Sequence, residues 1–163
     1  MMMIILILGV TATILWVIHY ISYFHLKKLI LAKHRWDLNI CCGKTDGGGI
    51  NADIFKHEDV PKFVFIQNIY RLPFADKAFD RILCSHTLEH VEDPVSFYKE
   101  LTRVGREVTI VIPPLWDICA VFNIFEHRWI FLSFKKEHAN LPQYIKFPLA
   151  DVIQKKLGQK IHA

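Results

Sequence analysis

"FDRILCSHTLEHVEDP", residues 79–94, joins two halves of unlike character. Its first six residues form a short, largely apolar run, the pattern of a strand buried in a sheet. Asp93 followed by Pro94 reads as a helix start: the Asp side chain can accept from unpaired N–H groups of the first turn, and Pro at the first helical position loses no bond. Phe97, Tyr98, Leu101 and Val104 then recur at helical spacing, and Gly105 ends the periodicity. Between the halves stand Ser85, His86, Glu89 and His90, polar groups placed just past the end of a strand.

Working outward, "EVTIVIPP" (107–114) reads as the next strand, stopped by two prolines. Upstream, "KFVFIQN" (62–68) is rich in β-branched and aromatic residues, "INADIF" (50–55) is a shorter candidate, and "WDLNICC" (36–42) runs into the glycine-rich loop "GKTDGGG" (43–49). Continuous rather than alternating apolar runs, with a helix between two of them, predict a parallel sheet covered on both faces. The expected fold is therefore α/β, a shortened Rossmann-like, mostly parallel sheet. Residues 36–134 are expected to form this domain, and 135–163 a tail with a helix near 151–157.

The 163 residues are 52% hydrophobic, with 20 Lys and Arg against 16 Asp and Glu. A mean hydropathy of +0.23 is high for a wholly soluble chain. The cause is "IILILGVTATILWVIHYISYF", residues 4–24, which holds no Asp, Glu, Lys or Arg. At ~1.5 Å per residue such a helix spans a ~30 Å hydrocarbon core. Residues 1–24 are thus expected to be a transmembrane anchor and 25–35 a basic juxtamembrane segment. Trp16, Tyr20 and Tyr23 sit toward the far end, and Lys27, Lys28, Lys33 and Arg35 follow, so the positive-inside rule puts the C-terminal domain in the cytoplasm. The surplus positive charge lies beside this run and in "KKLGQK" (155–160), which suits anionic lipid or solvent, and no nucleic-acid partner is expected. Cys41, Cys42, Cys84 and Cys119 show no CxxC spacing and read as reduced and buried.

In open α/β sheets ligands bind beyond the carboxyl ends of the strands. Residues at those ends are Gly43 to Gly49, Asp53, Gln67 and Asn68, Ser85 and His86. Glycines admit close backbone approach, a carboxylate can accept from a ribose diol, and an amide can pair with an adenine edge. "NICCG", "INADI", "LPFADKAFDRILCSHTLEHVEDPVSFYKELTRVGR" and "VTIVIPP" together resemble the class I S-adenosylmethionine-dependent methyltransferases, in particular the small methyltransferase-11-like branch. The resemblance implies S-adenosylmethionine as cofactor. Cys42 and Gly43 would meet its methionine part, Asp53 its ribose, Asn68 and Ile69 its adenine, with Ser85 nearby. It also implies that "FEHRW" (125–129) turns His127 and Trp129 to the substrate side.

The expected function is a membrane-anchored methyltransferase acting on a small or lipid-linked acceptor. The alternative is a catalytically inactive methyltransferase-like binding or interaction module, or a fragment of a longer enzyme. His86 and His90 are the candidate general bases, because an imidazole titrates near neutral pH. His86 and His90 with a cysteine do not make a zinc spacing, so no metal site is expected. Three departures from the family pattern carry structural expectations. Asn39 replaces the usual acidic residue of the first strand. About seven residues separate Cys42 from Ile50, too few for a usual crossover, so either "INADIF" pairs unconventionally or the first crossover helix is missing and one sheet face is thinly covered. No antiparallel hairpin is evident after residue 134.

Overall fold

The structure, a computed structural model, describes residues 1–157; the last six residues of the expected tail, including the end of "KKLGQK", lie outside the described residues. A six-stranded sheet has the order β3-β2-β1-β4-β5-β7. Its strands are β1 (Trp36–Ile40), β2 (Gly48–Asp53), β3 (Phe63–Phe65), β4 (Phe79–Ser85), β5 (Gly105–Val111) and β7 (Glu137–His138). The first five run parallel, and β7 lies antiparallel on β5. β6 (Trp129–Phe131) and β8 (Tyr144–Lys146) form a separate antiparallel pair. Among the described residues the two strands after residue 134 do not form a hairpin with each other: β7 joins β5 and β8 joins β6, strands too short to leave a period-2 signature.

Register separates the two faces. Leu38, Ile82 and Val108 form one aligned row, and Ile40, Cys84 and Ile110 another. These rows meet Phe97, Leu101 and Val104 of α3 (Pro94–Val104) in the main core. Asp93 caps α3 as expected, accepting from Val95 N and Ser96 N at 3.0 Å. Gly105 does not close α3 in a left-handed turn; at φ −113° it is already the first residue of β5. A side chain there would strike Ile82 Cδ1 at 2.5 Å. Glu100 and Arg103 of α3 hold the loop before β4, through Leu72 N to Glu100 Oε1 (2.6 Å) and Arg103 to the Leu72 and Phe74 carbonyls (3.1 and 3.0 Å). The "LPFAD" segment is therefore a structural brace.

The opposite face carries the row Asn51, Asn39, Leu83, Thr109. β1 and β2 pair in parallel although the connection between them is too short to hold a helix. Residues 41–47 instead double back across this face. Asn39 Nδ2 donates to Thr45 O (2.9 Å) and to Asn51 Oδ1 (3.0 Å), and Asn51 Oδ1 also accepts from Gly47 N (2.9 Å). Gly47 has no room for a side chain, since a Cβ would sit 2.7 Å from Asn39 Cβ. Asn39, uncharged, serves as the clamp for this return loop.

The rest of that face is covered by the N-terminal helix, so the expected thin cover is corrected. A continuous helix runs Met2–Ala32, as α1 (Met2–Tyr20), a π-helical turn Ile21–Leu26 and α2 (Lys27–Ala32). Ile30 packs with Trp36, Leu83 and Val111, and Trp36 Nε1 donates to Leu31 O at 3.1 Å. The π turn, a feature frequent at functional sites, turns Ser22 inward onto Lys136. Contact with the domain begins near Leu15, whose carbonyl lies 3.9 Å from Cys119 Sγ, and continues at His19, 3.1 Å from Asp117 Oδ1.

Candidate functional site

The carboxyl ends of β1, β2 and β4 open into one cavity of about 720 Å³, a size typical of small-ligand sites. Its lining comes from Cys41 to Thr45 after β1, Asp53 and Ile54 after β2, and Ser85 to Thr87 with His90 after β4. The far wall is the helix, through Tyr23, Phe24, Lys27 and Leu31. A hollow of about 360 Å³ elsewhere is bordered by Arg35, Asp37, Asp80, Arg81, Arg106 and Glu107, and these charges largely pair with one another.

Asp53 is buried, and its carboxylate is oriented by the backbone. Oδ2 accepts from Gly43 N at 2.8 Å and Oδ1 from Ile54 N at 2.7 Å. A carboxylate has about four acceptor sites, so capacity remains for a ligand. Gly43 has φ +54°, a left-handed conformation suited to glycine, and nothing lies within 4 Å of where a Cβ would be. Ser85 Oγ is buried in the cavity wall with no hydrogen-bond partner among the described residues. Two non-glycine residues just past strand ends, Cys41 (φ 51°) and His86 (φ 54°), also adopt the left-handed conformation, which costs energy and clusters at functional sites.

Cys42, Gly43, Asp53, Ser85, His86 and His90 are thus brought together. Asn68 and Ile69 are not. Asn68 is exposed and its Oδ1 accepts from Tyr70 N at 2.8 Å, while Ile69 belongs to the main core. Ile54 and His57 stand beside Asp53 instead. His127 and Trp129 do not face the large cavity either. His127 is buried against His90, with ring centroids 4.9 Å apart, and Trp129 Nε1 donates to Val91 O at 2.8 Å. The four cysteines are all free, but Cys119 is exposed beside the helix rather than buried. Burial pushes the Cys84 thiol up to about 12, so it is not a nucleophile at neutral pH.

A buried polar chain runs behind the cavity, and the sequence reading missed two of its members. Lys136 Nζ donates to Ser22 Oγ and to His86 Nε2, both at 3.1 Å. A lysine ammonium offers no lone pair, so Nε2 accepts and Nδ1 carries the proton toward Glu89 Oε1, 3.1 Å away. Burial pushes His86 down to about 4, opposed by Glu89. Burial disfavours the Glu89 carboxylate, but the His86 hydrogen bond and surrounding histidines hold its carboxyl at about 2. Both His86 nitrogens are therefore engaged. Glu89 is bonded to His86 and stands within 4.8 Å of a His90 ring nitrogen.

Burial also lowers Lys136, to about 8, with Glu89 and Asp117 opposing. The unfolded chain holds that proton up to ~10.4, so between pH 8 and that value the unfolded state binds more protons and stability rises with pH. The expected gain is about 3 kcal/mol across the window, and Lys136→Met should remove it. Urea unfolding of both proteins from pH 7 to 10 checks this: parallel curves would show that Lys136 is solvated.

Residues 50–112 match the model of a family described as a methyltransferase domain. The match leaves out β1 and its return loop, where the crossover helix is missing. No curated protein matches the chain. Solved structures similar to it include a SAM-dependent methyltransferase from Aquifex aeolicus (15% identity, TM-score 0.42, covering 56% of this chain and 65% of that one). Others are the YcgJ protein from Bacillus subtilis (22%, 0.41, 56% and 53%) and a SAM-dependent methyltransferase from Methanosarcina mazei (14%, 0.40, 71% and 77%). The chain spans about half to two thirds of the length of several of these structures.

Proposed function

We propose that this chain is a membrane-attached methyltransferase that binds S-adenosylmethionine in the 720 Å³ cavity and methylates a small or lipid-linked acceptor at the cytoplasmic face. The observation that carries the reading is the convergence of Gly43, Asp53 and the unpartnered Ser85 Oγ on one cavity whose opposite wall is the N-terminal helix, through Tyr23, Phe24, Lys27 and Leu31.

When bound, S-adenosylmethionine supplies a methyl group on a positively charged sulfur. Asp53 would accept from its ribose diol, the Gly43 backbone would admit its close approach, and Ser85 Oγ would have a polar partner in it. Alignment of acceptor and methyl group supplies most of the acceleration in such a displacement, and a base is needed only for a protonated acceptor. His86 and His90 form the wall on the acceptor side, with Lys136 and Glu89 fixing His86.

The helix is long and apolar enough to cross a membrane. Its portion clear of the domain, 2–14, is only ~20 Å long at ~1.5 Å per residue, less than the ~30 Å hydrocarbon thickness. In the proposed arrangement the domain therefore rests in the leaflet surface. α4 (Ile118–Val121), which packs beside α1, fits that depth: Ile118, Phe122 and Phe125 are 48%, 57% and 50% exposed. A lipid-linked acceptor would then reach the cavity along the helix.

Calorimetric titration of the full chain in detergent with S-adenosylmethionine and its demethylated product tests the reading, followed by transfer of labelled methyl groups to lipid and water-soluble extracts. Saturable binding with label in the lipid fraction is expected. No saturable heat at millimolar ligand would sink the enzyme reading and leave an interaction module.

A further inference from the structure

We propose that Glu89, His90 and His127 form a binding site for one divalent transition-metal ion of the zinc class, set between the cavity and the core. All three are buried, and one ligating atom from each lies within 4.8 Å of the others. The carboxylate supplies the observation that points to a cation: Glu89 is 1% exposed, its Oε1 is bound to His86, and its Oε2 has no hydrogen-bond partner among the described residues. A buried unpartnered carboxylate oxygen is costly, and a cation is a chemically apt neighbour for it.

The histidines are arranged as ligands usually are. A metal-bound imidazole commonly gives its other N–H to a carbonyl or carboxylate, which fixes ring and tautomer. His90 Nδ1 lies 3.0 Å from the Glu126 carbonyl, and the His127 ring packs against that of His90. Zinc bonds of ~2.0–2.2 Å require each ligating atom to move inward by at most ~1 Å, a side-chain adjustment. Two imidazoles and one carboxylate favour zinc or a neighbouring transition ion over magnesium or calcium, which prefer oxygen. Three protein ligands leave a fourth position, as in open zinc sites. His90 lines the large cavity, while Glu89 and His127 line the small space behind it, so an ion here would touch the cavity wall. Because Glu89 also bonds His86, loading the site would act on His86 directly.

The test uses tag-free full-length chain, stripped with chelator, dialysed against Zn²⁺ or Co²⁺, and assayed for metal content and cobalt absorption. One equivalent is expected, with a visible cobalt spectrum lacking the ultraviolet band of a thiolate ligand. Glu89→Gln and His127→Ala should each weaken retention by at least ~10-fold, with folding checked by circular dichroism, and a ~100-fold excess of Mg²⁺ should not displace the ion. Glu89→Gln keeps side-chain size, so it remains informative if His127→Ala does not fold. The proposal is overturned if the wild type retains no stoichiometric metal, if retention survives in both variants, if a thiolate band appears, or if Mg²⁺ competes.

Discussion

Asp53→Ala should lower affinity for S-adenosylmethionine by at least ~100-fold. A charge-assisted hydrogen bond contributes ~1.5–3 kcal/mol, a ribose diol offers two, and ~1.4 kcal/mol is a factor of ten in affinity. The substitution also acts through the protein itself. Asp53 Oδ2 is the acceptor for Gly43 N, the first glycine of the return loop, and Oδ1 for Ile54 N. Alanine leaves both N–H groups without this partner and loosens the loop that shapes the cavity. Asp53→Asn keeps one acceptor oxygen but loses the charge, so it should fall between wild type and alanine. Calorimetry on the detergent-solubilised chain decides the matter; affinity for Asp53→Ala within about threefold of wild type would show that the diol is held elsewhere.

Removing residues 1–32 should abolish cooperative folding of the domain, whereas removing residues 1–13 should leave its stability almost unchanged. The first deletion takes away Ile30, uncovers Trp36, Leu83 and Val111, and strips Lys136 of Ser22. Each such apolar side chain contributes ~1.5–3 kcal/mol when buried, so the loss is on the order of 5 kcal/mol or more, comparable with the whole stability of a small domain. The second deletion removes residues that are all exposed. Surface changes of that kind normally shift stability by ~0.5 kcal/mol or less. Chemical unfolding and amide hydrogen exchange on both truncations distinguish the cases. A cooperative transition at the wild-type midpoint for the 33–163 protein would refute the role given to the helix. This predicted dependence makes the helix part of the domain core, so ligand-binding assays belong on the full chain.

Much of the architecture was legible because its determinants are local. Central strands buried on both faces are written as largely apolar runs, as in β4 and β5, and the shorter candidates before them appear as β1, β2 and the edge strand β3. Asp93 and Pro94 mark the start of α3 because a cap acts within one turn. Gly43, Asp53 and Ser85 could be collected in advance because parallel strands present their carboxyl ends on the same side. Asn68 escaped that rule. β3 ends at Phe65, and Asn68 lies in the following loop, where its side chain bonds its own backbone.

What the sequence by itself determined was the order of the elements and the end of the sheet where a ligand could bind; both follow from periodicity and from the direction of the chain. The tertiary structure alone decided which distant side chains meet. Asn39 clamps a returning loop to Asn51, Ile30 closes the face that no crossover helix covers, and Glu89 stands between His86 and the pair His90 and His127. Such contacts carry no local signature, because the groups that satisfy a buried amide, an apolar face or a carboxylate are chosen by packing in three dimensions and not by spacing along the chain.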